Sequence, residues 1–353
     1  MEALVTGSSG VLGHSVAPQL AARGDDLRLF DMVAPPESLR GRLSTAGVDR
    51  VRLQEIAGDM RDLAALEKAA DGAEVIYHLA AGQRMKPQFS NFSEEEIFSM
   101  NLDGVKNVLA TAKTCRVRKV VFISSSAVYG LPEDRLVGES DHTLQPLGAY
   151  GDSKLEAEGL CRKAMEDGLD ITMLRPMSLF GNGMTGVFVL LFDWVRRNRR
   201  VFMLGSGLNR VQMVSADDVS RAAIQAAVEP DTGGLAINIG SDPDTVPTVR
   251  AQVEALVKYA GATSKFTGFP AELLRNAARV LNIFGISPIV PEHYLLADRN
   301  FVLDISLARE RLKWRPESDN VKMTCDAYDW YYENWQDVAP KPNPALRLLE
   351  ALT

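Results

Sequence analysis

The feature that most limits what this chain can fold into is the glycine-rich segment Thr6-Gly7-Ser8-Ser9-Gly10-Val11-Leu12-Gly13, which follows a short apolar run and leads into a helical pattern. Glycines permit a tight turn and a close backbone approach to a ligand. The first amides of the helix lack carbonyl partners and sit at the positive end of its dipole, which suits a phosphate group. The segment predicts a strand, a phosphate-cradling turn and a helix, with Gly7, Ser9, Gly10, Val11, Leu12 and Gly13 at the ligand.

The rest of the first half repeats this rhythm. Short β-rich runs at Ala3 to Thr6, Asp26 to Phe30, Arg52 to Ala57, Val75 to His78, Lys119 to Ile123 and Ile171 to Leu174 alternate with helical patterns at Val11 to Ala22, Leu63 to Ala70, Asn101 to Cys115 and Tyr150 to Glu166. Alternation of this kind predicts an α/β fold, a doubly wound parallel sheet of the Rossmann type with right-handed crossovers. Pro18 removes a backbone donor beyond the opening turn and is expected to kink or shorten the first helix. After Arg175-Pro176 the alternation fades. Residues 1–175 are read as the nucleotide-binding domain, and 176–353 mainly as a smaller mixed α/β substrate-binding region with a surface tail. Val211 to Val214, the helix after Asp217-Asp218, and Ala236 to Ile239 are expected to return to the first domain.

Asp31 ends the second strand, where its carboxylate can accept hydrogen bonds from both ribose hydroxyls of an adenosine and would repel a phosphate there. NAD is therefore expected rather than NADP. Asp59 and Met60 follow the third strand and are expected beside the adenine, whereas Asp62 reads as a helix cap. Leu79, Ala80 and Ala81 offer small side chains against which a dinucleotide can lie, and His78 reads as structural.

Together with the glycine turn, His78-Leu79-Ala80-Ala81, Ser124-Ser125-Ser126-Ala127-Val128-Tyr129-Gly130, Tyr150-Gly151-Asp152-Ser153-Lys154 and Arg175-Pro176 resemble, in order and separation, the extended short-chain dehydrogenase/reductase family, in its NAD-dependent nucleotide-sugar epimerase/dehydratase branch. Tyr150 and Lys154, four residues apart, share one helix face. A nearby ammonium stabilises phenolate and moves the tyrosine towards acid–base chemistry. Tyr150 is expected to exchange a proton with the substrate oxygen while Lys154 orients the nicotinamide ribose and supplies the positive field. The resemblance maps the family's hydroxyl to Ser125, with the adjacent Ser126 as second choice; both are catalytic and substrate-contact candidates. It also implies cofactor contacts at Ser124, Arg175, Pro176, Tyr150 and Lys154, and an active-site support at Asn101, which otherwise reads as a polar cap opening its helix. Tyr129 reads equally as packed aromatic or substrate contact, and Glu139 and Pro146 as positioning residues.

The length after Arg175 and the tail motifs Asn300-Phe301-Val302-Leu303-Asp304 and Leu312-Lys313-Trp314-Arg315-Pro316 resemble nucleotide-sugar epimerases, so an epimerase with a nucleotide-sugar substrate is the first expectation. Ser178 stands where many such enzymes carry asparagine, and Arg210 and Gln212 are the candidates for substrate contacts on the later strand. The aliphatic segment Leu273 to Ile289 resembles hydroxysteroid dehydrogenases and raises a rival: a dehydrogenase or reductase of a hydrophobic hydroxy or keto substrate such as a sterol. A dehydratase is opposed by Ser126-Ala127, which stands where an Asp-Glu pair would assist elimination. A non-catalytic NAD sensor is the remaining alternative.

A net charge of −7 excludes a broad nucleic-acid surface. The basic run at 196–200 reads as a solvated helix end, with a phosphate-bearing ligand as the alternative. Three cysteines and the scattered His14, His142 and His293 lack ligand spacing, so no metal is expected. Ala271 to Leu296 carries too many charges and prolines for a membrane span and reads as a wall or lid. The strand at the start leaves no room for a secretion signal. A cytoplasmic homodimer is expected, the dimer being implied by the resemblance and built on the helices near Asn101 and Tyr150.

Overall fold

The computed structural model describes residues 1–82, 93–131, 136–140, 144–181, 187–269 and 298–339. Seven strands, β1 (Glu2–Thr6), β2 (Asp26–Asp31), β3 (Leu53–Ala57), β4 (Val75–His78), β5 (Lys119–Ile123), β6 (Ile171–Pro176) and β10 (Ala236–Ile239), form one sheet in the order β3-β2-β1-β4-β5-β6-β10. Every pairing in it is parallel. Such strands bury both faces, and their side chains alternate between two cores. Ala3, Val5, Leu27, Leu29, Val75 and Tyr77 face one cluster. Leu4, Phe30, Ile76, Val120 and Phe122 face the other.

The first face is covered by α1 (Gly13–Arg23), α2 (Glu37–Thr45) and α7 (Ala216–Val228), the second by α3 (Leu63–Ala70), α4 (Glu94–Thr114) and α5 (Gly148–Glu166). The strand order reverses between β1 and β4, which opens a crevice beyond their carboxyl ends. The fold class read from the sequence is the one observed.

The structure refines three expectations about elements. The first helix starts at Gly13 rather than Val11 and continues through a buried Pro18 to Arg23, so Pro18 does not shorten its far end. Asn101 does not open its helix. The chain turns helical at Glu94, where Ser93 and Glu96 form a capping box, leaving Asn101 inside α4. Val211 to Val214 packs on the first core through Val214 and Val211, but without joining the large sheet: among the described residues its strand β9 (Met213–Ser215) pairs with β7 (Ser178–Phe180) in a small separate sheet.

The smaller region has its own core. It is built by α6 (Val187–Arg196), β8 (Val201–Leu204), α8 (Val249–Tyr259), β11 (Phe266–Phe269) and α10 (Asn320–Val338), around Phe192, Val195, Leu256, Met323 and Tyr331. Residues 301–314, with the short helix α9 (Ser306–Arg311), pack beneath the sheet instead: Phe301, Leu303, Ile305, Leu312 and Trp314 all enter the first core. Trp314 Nε1 donates to the Asp218 carbonyl at 3.0 Å, and the buried Asp218 carboxylate accepts from the Glu317 and Ser318 amides. The tail motif thus fastens the chain to α7. Arg196 and Arg197 both pair with Asp193 at the end of α6. Leu273 to Ile289, the wall or lid at Ala271 to Leu296, His142 and His293 lie outside the described residues. Among the described residues, no helix is long and apolar enough to cross a membrane.

Candidate active site

At the end of β1 the chain must pass close to the end of β4, and this sets the glycine requirement. Gly7 has φ +73°, and a Cβ there would lie 2.6 Å from the backbone N and Cα of Ala80. At Gly13 a Cβ would run into the Ser8 backbone. Gly10 N donates to Gly7 O at 3.0 Å, closing the turn just before the start of α1. Val11 stands 54% exposed at the mouth of this turn. Asp31 braces it from β2: its carboxylate accepts from Ser9 N at 3.0 Å and Val33 N at 3.2 Å, and Ser9 Oγ donates to Val33 O. Each carboxylate oxygen keeps a further lone pair for a ribose hydroxyl. Leu79, Ala80 and Ala81 form a half-buried floor on the other side. A cradle that a Cβ would fill, with a carboxylate at its rim that makes no ion pair among the described residues, fits an NAD.

The reacting groups come from β5 and α5. Past β5 the chain bends at Ser125, whose Oγ accepts from Ala127 N at 3.1 Å and caps a single 3₁₀ turn, Ser126–Tyr129. Ser125 is half-buried; Ser126 is only 5% exposed and packs inward. Tyr150 lies in the first turn of α5, and Lys154 follows one turn later. The Lys154 ammonium donates to Ile123 O at 2.8 Å and stands 5.0 Å from the Phe122 ring centre and 5.9 Å from that of Tyr150. Lysine and tyrosine therefore stand at the carboxyl end of β5, and a Cβ on Gly151 would lie 2.9 Å from Ala127 O, which sets the start of α5 against the Ser125 turn. Asn101 ties the parts together: its Oδ1 accepts from Gly82 N at 2.7 Å, and its Nδ2 donates to Gly82 O and Ser153 Oγ. It links the segment after β4 to the helix carrying Tyr150.

Beneath this centre lies a polar cluster. Glu158 is fully buried and receives two Arg175 bonds, Nε to Oε1 at 2.8 Å and Nη2 to Oε2 at 2.7 Å, with the Ser124 hydroxyl on Oε1 at 2.7 Å. Burial opposes its charge, but the Arg175 bonds and charge prevail and hold the carboxyl below its usual range. Tyr129 accepts from Arg175 Nη1 at 2.8 Å and donates to Asn238 Oδ1 at 2.7 Å; burial pushes its phenol up to about 12. Glu139 Oε1 accepts from Asn238 N at 2.9 Å, and burial raises its carboxyl. His78 is buried, with Nδ1 2.7 Å from Thr6 Oγ1 and its ring stacked on Phe122. Burial, reinforced by the Lys154 charge, lowers its pKa to about 3, so the ring is neutral.

Several expected contacts have other work. The Arg175 guanidinium and Ser124 hydroxyl are held by Glu158, and Pro176 is buried in β6 against Ile239. A side-chain role at the cofactor is not carried forward for any of these three. Asp59 grips Arg61, while Met60 packs on α4, where a Cβ on Gly104 would lie 2.5 Å from its sulfur. Gln212 is wholly buried: its amide donates to Ser241 O at 2.5 Å and its oxygen accepts from Leu303 N at 2.9 Å, so it binds the tail segment rather than a substrate. Ser178 and Arg210 are exposed. Glu158 and Asn238 were missed from sequence. Glu158 carried one signal, its place four residues after Lys154.

With this geometry in hand, the chain can be set beside known proteins. The model of a family described as "NAD dependent epimerase/dehydratase family" matches residues 3–240. An uncharacterized protein of Sinorhizobium fredii is 32% identical over 335 residues, covering 94% of this chain and 79% of that protein. Sterol-4-alpha-carboxylate 3-dehydrogenase (decarboxylating) of Bos taurus is 29% identical over 246 residues, 67% of this chain and 64% of the bovine enzyme. Among solved structures, UDP-glucose 4-epimerase of Thermotoga maritima, holding UDP-glucose, superposes with a TM-score of 0.72 at 20% identity, covering 95% of this chain and all of that one.

Proposed function

Because the chain belongs to the NAD dependent epimerase/dehydratase family, we propose that it is an NAD-dependent oxidoreductase acting at a hydroxyl-bearing carbon of an apolar hydroxy or keto substrate of the sterol kind. The observation that carries the chemistry is the packing of Tyr150 and Lys154 on α5 against the end of β5 and the Ser125 turn. The glycine turn, Asp31 and the Leu79 to Ala81 floor would hold NAD, which when bound supplies the acceptor for a hydride from the carbinol carbon. Tyr150 takes the proton from the substrate hydroxyl, or returns it to a carbonyl oxygen. Lys154 favours the phenolate, and the Ser125 hydroxyl donates to the reacting oxygen.

The substrate class is supported by the likeness to the bovine sterol dehydrogenase and by where the expected sugar-nucleotide contacts went. Gln212 is consumed by structure, and Ser178 replaces the asparagine of that pattern. Elimination chemistry finds no acid at the turn, where Ser126 is buried and Ala127 contributes only an amide. A second reading is a nucleotide-sugar epimerase, in which Tyr150 deprotonates and reprotonates one oxygen within a turnover. It is favoured by Arg210, exposed and without an ion pair among the described residues, a suitable partner for a diphosphate. A cytoplasmic homodimer forms part of this proposal, and the mass in solution reads its dimeric half.

The test is to release bound molecules by denaturing washed protein and then to assay turnover with NAD and a 3-hydroxysterol, or with UDP-glucose. NADH production from the sterol supports the first reading. Tightly retained NAD with interconversion of the sugar nucleotide, and no reaction with sterols, replaces it with the second.

A further inference from the structure

Lys154 and Glu158 are four residues apart on α5, the spacing at which a helix ordinarily forms an intrahelical ion pair. Here that pair would be harmful, because a carboxylate on the ammonium would cancel the field that Tyr150 depends on. The structure directs both groups elsewhere. The Lys154 ammonium reaches across to Ile123 O. The Glu158 carboxylate takes Arg175 in a two-point grip, Ser124 on one oxygen and Arg162 on the other. Arg175 is itself 2% exposed, and its third nitrogen is fixed by the Tyr129 hydroxyl, which is fixed in turn by Asn238. The guanidinium therefore cannot rotate away without breaking a chain of buried bonds that runs from α5 through β6 and the 3₁₀ turn to β10.

We propose that Arg175 is a positioning residue for catalysis: by capturing Glu158 it keeps that carboxylate off Lys154, leaves the lysine charge directed at Tyr150, and clamps α5 to the turn that carries Ser125. This rests on the reading of Tyr150 as the acid–base group. Among the described residues, the charged and titratable groups around the pair are Arg162, Lys154 and Cys161 on α5, Tyr129 on the 3₁₀ turn and Glu139 with Asp304 beyond it; the Cys161 thiol, pushed up to about 12 by burial, and His78 on β4, which faces Lys154, are both neutral. Arg162 stays on the Oε2 oxygen but its side chain is 45% exposed and screened by solvent, so among the described residues it leaves Lys154 as the other buried cation within reach of Glu158. With Arg175 gone, the nearest buried cation available to Glu158 is therefore Lys154.

The experiment is a phenolate difference titration of the full chain, with Tyr150 isolated by subtracting Tyr150→Phe. It is run on the wild type, Arg175→Gln, Glu158→Gln and the double variant, so no substrate is needed. A captured Lys154 loses most of the field it exerts about 6 Å along the helix, so Arg175→Gln should raise the Tyr150 midpoint by about one unit or more. The double variant has no carboxylate to capture the lysine and should return to within a few tenths of the wild type. Glu158→Gln alone should leave the midpoint unchanged or lower it, which keeps the test open if Arg175→Gln does not fold. A folded Arg175→Gln with an unmoved midpoint, a double variant shifted as far as the single one, or an upward shift in Glu158→Gln would each overturn the proposal. A wild-type Tyr150 that titrates like free tyrosine would instead remove the acid–base reading, a separate failure visible before any comparison of variants.

Discussion

Replacing Gly7 by alanine tests the cradle in the most quantitative way the structure permits. Two costs meet at this position. A φ of +73° strains any residue with a Cβ by about 1–2 kcal/mol. The new atom would also sit 2.6 Å from the Ala80 backbone, and relieving such an overlap in packed surroundings costs about 1–3 kcal/mol. Gly24 serves as the control: its φ is +87°, but nothing lies within 4 Å of a methyl placed at that C-cap, so only the conformational cost applies. Gly13 is the complement, with an overlap on Ser8 and no positive φ. Urea midpoints should therefore fall by the equivalent of about 2–5 kcal/mol for Gly7→Ala and about 1–2 kcal/mol for Gly24→Ala. Calorimetric NAD affinity should weaken at least about tenfold, about 1.4 kcal/mol, in Gly7→Ala and Gly13→Ala and stay unchanged in Gly24→Ala. Equal loss of stability in Gly7→Ala and Gly24→Ala, with NAD affinity intact in both, would refute the close-approach argument.

Further outcomes follow from other residues. Asp31→Asn should narrow the preference for NAD over NADP by about tenfold in paired binding titrations, because it removes the charge that repels a ribose phosphate while keeping an acceptor for Ser9 N. His78 has a folded pKa near 3, below the usual value of about 6.5, so its stabilising effect is complete above pH 6.5 and is lost as the pH falls towards 3. By pH 4 this withdraws about 3 kcal/mol, and the urea midpoint of His78→Gln should depend less steeply on pH over that interval. Gln212→Met should lower stability by about 1–3 kcal/mol through the unpaired Ser241 carbonyl and Leu303 amide, while substrate KM stays at the wild-type value.

The sheet was legible because buried parallel strands are written as short apolar runs; the observed β1 and β4 follow those runs to within a residue. The glycine turn was legible for a local reason, since its constraints fall within a few residues and one neighbouring strand end. The start of α4 was also written locally, in Ser93 and Glu96, and was overlooked in favour of the polar Asn101. What local pattern does not carry is the destination of a buried polar side chain. Arg175 and Gln212 look like ligand contacts in sequence. They become structural only when Glu158 from another helix and Leu303, ninety-one residues away, arrive beside them.

The most direct test of the central claim is a single-turnover measurement of NADH absorbance after mixing NAD-loaded protein with a 3-hydroxysterol, comparing wild type with Tyr150→Phe and Lys154→Met after calorimetry has shown that each still binds NAD. The account predicts NADH formation in the wild type that rises with pH and falls by about a hundredfold or more in both variants. NADH formation at the wild-type rate in a folded, NAD-binding Tyr150→Phe protein would contradict it.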